Sequence, residues 1–352
     1  MTKKEKITSI VALAVLAAAV VALAVALLTR DKPSSLRTKT FLADYFDTVS
    51  TVYCYSDDTD EEFAERCAAV EELLLDYHEL TDIYNEYDGV NNLKTLNDNA
   101  GGEPIKIDAR LMDMLVFSKK IYELTDGAVN VMFGAVLSLW HDCRELADKN
   151  PALAALPDED ALKEAALHCD INSLVLDTEN MTAVITDEHA SIDVGAVAKG
   201  YATERAAELL KSLGADGYAL DIGSNMRVIG EHPTEGEWTV KIRNPEANAD
   251  TPYAREVKTS DSAVVTSGGY IRYYVVNGKK YHHIINKNTL MPADFFSSVT
   301  VVHPDSGFAD CMSTALFNMS LEDGRALIEK AKAEGLGEIK AVWILKDGSV
   351  IS

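Results

Sequence analysis

The 352-residue chain is short of two things, cysteine in useful patterns and positive charge. Five cysteines occur, Cys54, Cys67, Cys143, Cys169 and Cys311, an odd number with no CxxC pair. That argues against a disulfide framework and against a structural zinc site. As isolated thiols they read as small buried hydrophobes. Lysine and arginine number 33 against 56 aspartates and glutamates, a formal net charge of −23. Residues 1–40 carry seven basic and two acidic side chains, a local +5 that leaves −28 on the remainder. Nucleic acid needs clustered Lys and Arg against its phosphates, so a body this acidic excludes that partner. A soluble, self-repelling surface accounts for the charge. Also missing are GxSxG, HExxH, a Walker A sequence and a strand-linked GxGxxG, and no repeat of fixed period runs along the chain.

One long hydrophobic run is present. Ile10–Leu28 is apolar for 19 residues, with Lys3, Lys4 and Lys6 before it and Arg30 and Lys32 after it. That length spans a bilayer core as a helix, and it exceeds the apolar core of a usual signal peptide. The expectation is an uncleaved N-terminal transmembrane anchor over residues 1–30, its short tail inside and the body of the chain on the extracytoplasmic side. A cleaved signal peptide is the alternative. No cysteine lies near the end of the run, so lipoprotein processing is not indicated. Residues 31–40 read as a polar linker and 41–352 as the working domain.

Beyond residue 40, strand and helix patterns mix without regular βαβ alternation, which points to an α+β fold. Phe46–Tyr55 is β-branched and aromatic, a strand pattern. Helices are predicted over 60–84, 110–124, 131–140, about 159–168, 309–317 and 321–334 from their apolar spacing. Residues 84–99, rich in Asn, Asp and Gly, read as a loop. Strands are predicted over 174–177, 181–186, 218–222, 226–229, 238–242, 264–267, 298–302, 339–345 and 350–351. Asn277-Gly278 is read as the turn of a hairpin.

Ser191–Gly214 is the stretch around which the rest can be arranged. It opens strand-like at Ser191-Ile192-Asp193, passes Gly195 and becomes a helix stopped by Gly214. Lys199 falls in the first turn of that helix, where the dipole disfavours a cation. An anion such as a phosphate docked at that end would explain it; a solvated surface lysine is the plainer alternative. Asp310 and Thr314 are four residues apart in ADCMSTALF, on one face of a helix. A carboxylate and a hydroxyl are hard oxygen donors suited to magnesium, although two residues alone do not make a site. In Tyr281-His282-His283-Ile284-Ile285, alternation sends the two histidines to opposite faces.

These signals occur in a fixed order: Asp193-Val194-Gly195-Ala196-Val197-Ala198-Lys199-Gly200-Tyr201, Gly223-Ser224-Asn225, Thr266-Ser267-Gly268, His283-Ile284-Ile285 and Ala309–Leu316. The set resembles the ApbE family, the FAD:protein FMN transferases. The resemblance extends upstream through Phe46-Asp47-Thr48, Tyr87, Leu93, Asn97 and Thr125-Asp126-Gly127-Ala128, and covers about residues 41–352. It implies a mixed-sheet fold with packed helices. It also implies magnesium-dependent transfer of FMN from FAD to a Thr or Ser hydroxyl of an acceptor protein, with AMP released. Carried over, it makes Asp193 and Lys199 contacts to FAD. The Ala196 carbonyl, Asp310 and Thr314 become magnesium ligands, with Ser313 beside them. Phe46, Tyr87, Ala128, Val129, Asn130 and Ile284 fall at flavin-site positions. Four departures stand out: Asn130 for an aspartate, Ser224 for a glycine, Asn286-Lys287 for Asp-Pro, and Leu290 for a glycine. The acceptor would be a membrane or exported redox protein.

Breaking the FAD pyrophosphate by hydroxyl attack is phosphoryl transfer, which asks for positioning and charge neutralisation. Magnesium and Lys199 would supply positive charge, and His283 would orient or deprotonate the acceptor hydroxyl. Phe46 and Tyr87 could pack a ring of the ligand. The readings that compete are an exported FAD-binding protein without transfer and an FAD pyrophosphatase that uses water.

Overall fold

In the computed structural model the described residues are 36–41, 45–247 and 250–352. The apolar run Ile10–Leu28 lies outside them. Among the described residues no helix is long and apolar enough to cross a membrane.

Strands β1 (Arg37–Thr40) and β2 (Ser50–Cys54) lead into the long helix α1 (Asp60–Thr81), the short α2 (Leu93–Asp98), β3 (Ile105–Lys106) and α3 (Ala109–Leu124). Helices α4 (Gly134–Lys149) and α5 (Glu159–Ala166) follow, then the hairpin β4 (Leu174–Asp177) and β5 (Thr182–Ile185), then α6 (Ala198–Ser212). Next come β6 (Tyr218–Ile222), β7 (Asn225–Ile229), β8 (Trp238–Arg243), β9 (Tyr253–Thr259), β10 (Ala263–Gly268), β11 (Tyr273–Val276) and β12 (Lys279–His282). The chain closes with β13 (Ser298–His303), α7 (Ser306–Phe317), α8 (Leu321–Ala333), β14 (Lys340–Ile344) and β15 (Val350–Ile351).

Eight strands form the main sheet in the order β1-β2-β6-β7-β10-β13-β14-β15. Every pairing in it is antiparallel, which corrects the expected mixed sheet. Alternation divides its side chains between two faces. Val52, Leu220, Val265, Val299 and Trp343 belong to the large core shared with α1, α6 and α7. Ala219 and Val228 pack with Trp238, and Val342 and Ile344 with Ile242, both tryptophan and isoleucine coming from the β8–β9 ribbon. A one-residue slip would exchange the faces, so register here is tightly specified. Helix α7 is buried almost all round, as its apolar composition requires.

Several local expectations are corrected. Arg37–Thr40, read as linker, is an edge strand paired with β2; only one face meets the protein, so no apolar alternation marks it. Within the predicted loop lies α2, begun by Asn92, whose side chain accepts from Thr95 N while Thr95 Oγ1 accepts from Asn92 N. Six residues are too few to show a period. Residues 131–140 divide into a short 3-10 turn, Val131–Phe133, and the first part of α4. Ser191-Ile192-Asp193, expected to open strand-like, joins no strand. Instead the Asn97 amide stands in for one, accepting from Ile192 N at 2.7 Å and donating to Ile192 O at 3.0 Å. Asn277 (φ 50°) and Gly278 (φ 80°) make the expected turn between β11 and β12.

Candidate active site

The site is built where the start of α6 meets the first turns of α7. Asp193 Oδ1 accepts from Gly195 N at 2.7 Å, and the N–H groups of Val197 and Ala198 both reach Val194 O at 2.8 Å. This tight turn places Ala196 and the beginning of α6. No side chain caps that helix. An uncapped N-terminus leaves N–H groups that favour negative charge. Asp310 of α7 supplies some of it: its Oδ2 accepts from Gly200 N at 2.9 Å and from Asn225 Nδ2 at 3.2 Å.

Lys199 is not a free surface lysine. Its Nζ donates to Gly195 O at 3.3 Å and stands 3.9 Å from Asp310 Oδ2. Burial pushes the Asp310 carboxyl above its ordinary pKa, against the pull of Lys199, the Gly200 N–H and Asn225. Asp310 Oδ1 makes no hydrogen bond among the described residues. Ser267 Oγ lies 2.7 Å from Ser313 Oγ and 3.2 Å from Thr314 Oγ1. Ser313 Oγ donates to Asp310 O at 3.0 Å and is fully buried, so it supports the helix turn that carries Asp310 and Thr314. The Cys311 thiol points at Ala196 O, 3.6 Å away. Thus the two halves of the expected ligand set, Ala196 on one element and Asp310 and Thr314 on the other, are brought together. The donors are a carboxylate, a hydroxyl and a carbonyl. Such hard oxygens fit magnesium, whereas zinc favours nitrogen and sulfur. Among the described residues no group of three or more His, Cys, Asp or Glu could hold a metal.

A buried ion pair braces this junction. Arg227 of β7 binds Glu204 of α6 through Nε at 2.9 Å and Nη2 at 3.2 Å, and Glu204 Oε2 also accepts from Ser306 N at 2.7 Å. Glu204 is one helical turn beyond Gly200, and Ser306 one turn before Asp310.

Around this centre stand Tyr84, His141 and Arg144, which the sequence reading did not name. Asp193 is pushed up by burial and pulled down by the Gly195 N–H, His141, Arg144 and Lys199. His141 accepts from Arg144 Nη2 at 2.7 Å through Nδ1, so its Nε2–H donates to Glu145 at 3.0 Å. The exposed Tyr84 ring stacks on His141, centroids 5.1 Å apart at 28°. Helical spacing of His141 and Arg144 was the available signal. By contrast, Tyr87 commits its hydroxyl to Asp82 Oδ2 at 2.7 Å.

Phe46 and Asp47 both lie in the left-handed region, φ 55° and 54°. Two adjacent non-glycine residues there store strain. Phe46 N donates to His78 Nδ1 at 3.3 Å, and Arg272 Nη2 donates to Asp47 O at 2.6 Å. Arg272 also accepts from His283 through its carbonyl, Nδ1–H to O at 3.1 Å, which leaves His283 Nε2 with its lone pair. His283 keeps an exposed edge, yet desolvation by the protein atoms crowded round the ring lowers its pKa, and so does the charge of Lys199. His282 is structural: Nε2–H donates to Ala293 O at 2.8 Å, and Nδ1 accepts from Ile284 N at 3.2 Å.

Val129 and Ile284 are buried, with Ala128 partly so. Asn130 has a structural reason to be an amide. Its Oδ1 accepts from Met132 N at 2.9 Å while Nδ2 donates to Cys169 O at 2.8 Å, a bond aspartate could not make. Ser224 (φ 78°) and Leu290 (φ 58°) keep the left-handed backbone that glycine would adopt without strain. Asn286 Oδ1 accepts from Asn288 N and Thr289 N, and Lys287 Nζ donates to Asp126 O, tying this turn to Asp126.

The chain resembles known proteins over most of its length. It is 33% identical to the FAD:protein FMN transferase of Treponema pallidum (strain Nichols) over 283 residues, 76% of this chain and 75% of that protein. With the FAD:protein FMN transferase of Klebsiella pneumoniae (strain 342) the identity is 26% over 263 residues, 73% of this chain and 75% of the relative. The crystal structure of the ApbE protein from Thermotoga maritima superposes with a TM-score of 0.76 at 25% identity, covering 90% of this chain and 96% of that one. The flavin transferase ApbE from Vibrio cholerae gives 0.69 at 22% identity, with the same two coverages, and supports the fold alone. The ApbE family model matches residues 46–337. With that match spanning the turn before α6 and the first turns of α7, the chain belongs to the ApbE family.

Proposed function

We propose that this chain transfers FMN from FAD to a Thr or Ser hydroxyl of an acceptor protein and releases AMP, with magnesium required. The observation that carries the reading is the meeting of Lys199, Asp310 and Ala196 at the α6–α7 junction, where Lys199 Nζ stands 3.9 Å from Asp310 Oδ2. A lysine and a helix N-terminus suit a pyrophosphate that must be held and neutralised. Asp310, Thr314 and the Ala196 carbonyl would hold the magnesium. When bound, it supplies a Lewis acid that polarises the phosphate and stabilises the leaving AMP.

The remaining work falls to the chain's own groups. Lys199 binds a phosphate oxygen while its ammonium also donates to Gly195 O. His283, its Nδ1–H held by Arg272 O, presents Nε2 to accept a hydrogen bond from the acceptor hydroxyl. Its lowered pKa keeps it neutral and makes it a weak base, so it orients the hydroxyl, and the proton lost as the bond to phosphorus forms leaves with AMP. Asp193 and the stacked Tyr84–His141 pair border the place for FAD. We further propose that residues 1–30 anchor the chain in a membrane with the catalytic domain outside; detergent-free fractionation that finds the intact protein in the cytosol would refute the placement.

The test incubates residues 36–352 with FAD, magnesium and a candidate acceptor, and reads intact mass and AMP together. One FMN on the acceptor per AMP released is expected. AMP with free FMN and an unlabelled acceptor means a pyrophosphatase, and neither product means a flavin-binding protein.

A further inference from the structure

Acidic residues are 56 of 352 in this chain, yet none occurs among the 32 residues from Ser262 to Ala293. The same stretch carries Arg272, Lys279, Lys280 and Lys287. Its centre is the β11–β12 hairpin, a separate two-stranded sheet among the described residues. One face, with Tyr274 and Tyr281, packs on Trp140. The opposite face and the tip look outward. Val275 is 46% exposed and Ile271, just before the hairpin, 57%. Lys279 and Lys280 are exposed and pair with no carboxylate among the described residues. They lie over aromatic rings instead, Lys280 Nζ 4.5 Å from the Tyr273 centroid and Lys279 Nζ 5.3 Å from that of Tyr281. A ring face holds an ammonium in place and leaves its N–H donors directed outward. Strand β12 ends at His282, so the hairpin leads directly to His283.

We propose that this hairpin is the docking surface for the acceptor protein, and that it takes an acidic segment flanking the acceptor Thr or Ser. The inference rests on the FMN-transfer reading above. Charge complementarity selects the occupant. An acidic segment is repelled by the net negative charge of this body and attracted by the exposed Lys279 and Lys280 beside His283, so the field both draws the partner and orients it. The exposed Val275 and Ile271 give the contact an apolar centre within a charged rim.

The experiment uses three short fluorescent Thr peptides whose flanks are Asp-rich, neutral or Lys-rich. Their binding to the wild type and to Lys279→Glu/Lys280→Glu is followed by anisotropy, with FMN labelling read by mass in parallel. The Asp-rich peptide is expected to bind the wild type about tenfold more tightly than the neutral one at low salt, with the advantage shrinking as salt rises. The double variant should prefer the Lys-rich peptide while its FAD affinity stays unchanged. Equal binding of the three peptides, or an unchanged preference in the variant, overturns the proposal. So does a loss of FAD affinity, which would assign the lysines to FAD. A concentration-dependent dimer of the wild type that the variant abolishes would give the surface to a second copy, against the proposal. Charge-selective binding without labelling would keep the docking surface and remove the transfer reading; labelling without charge preference would do the reverse.

Discussion

Gly200 can be tested with one methyl group. A Cβ at this position would lie 2.3 Å from Asp310 Cβ, 2.6 Å from Ser306 O and 3.0 Å from Asp310 Oδ2. Ordinary contact begins near 3.4 Å. Two of the three obstacles, a backbone oxygen and a Cβ, cannot rotate aside, so α7 has to move away from α6 by about 1 Å. Alanine gains roughly 1 kcal/mol of helix propensity over glycine. Overpacking costs about 1–3 kcal/mol, sometimes more. Gly200→Ala should therefore lose between nothing and about 2 kcal/mol of stability. The effect on the site is larger. The same shift lengthens the Gly200 N–H bond to Asp310 and separates Asp310 from Lys199 and Ala196. A misplacement of about 1 Å lowers a positioned reaction on the order of 100-fold. Denaturant unfolding gives the first quantity and AMP release at saturating FAD the second. Turnover within threefold of wild type, with the fold intact, would show that the α6–α7 approach does not set the chemistry, and the reasoning would fail.

Asp310 carries the only formal charge among the three oxygen donors, so Asp310→Ala should abolish magnesium-dependent transfer. Thr314→Val should weaken it less and respond to added magnesium; AMP release titrated with magnesium separates the two, and wild-type dependence in Asp310→Ala would place the metal elsewhere. Lys199→Ala should raise the FAD concentration needed for half-maximal rate by about tenfold without moving the unfolding midpoint, checked by FAD titration. Ser224→Gly should stabilise the protein by about 0.5–1 kcal/mol, because the β6–β7 turn holds Ser224 at φ 78°; equal denaturant midpoints would contradict the strain. His283 has its pKa depressed, so the neutral form persists as pH falls through 6.5 and protonation removes activity only below that. A His283-dependent inflection in rate at or above pH 6.5, absent in His283→Gln, would refute its setting beside Lys199 and the Arg272 carbonyl.

Much of this protein was legible along the chain. Helix α6 announced itself by apolar spacing, Gly214 closed it, and the anomaly of a lysine in its first turn marked one part of the candidate site. The four-residue interval between Asp310 and Thr314 put them on one helical face before any tertiary contact was known, since helical period is a local property. Asn277-Gly278 declared its turn for the same reason, because positive φ is a property of single residues. Contacts between distant segments were not legible. No local rule says that Gly200 meets Asp310, that Glu204 and Arg227 hold the start of α7, or that the Asn97 amide replaces a strand beside Ile192. Nor does composition say that Asn130 is an amide in order to reach Cys169 O, or that Tyr84 rather than Tyr87 stacks on His141. Local periodicity is encoded within a few residues; the packing of α6 against α7 joins residues about a hundred positions apart, and only the folded chain decides which of their atoms come within bonding distance.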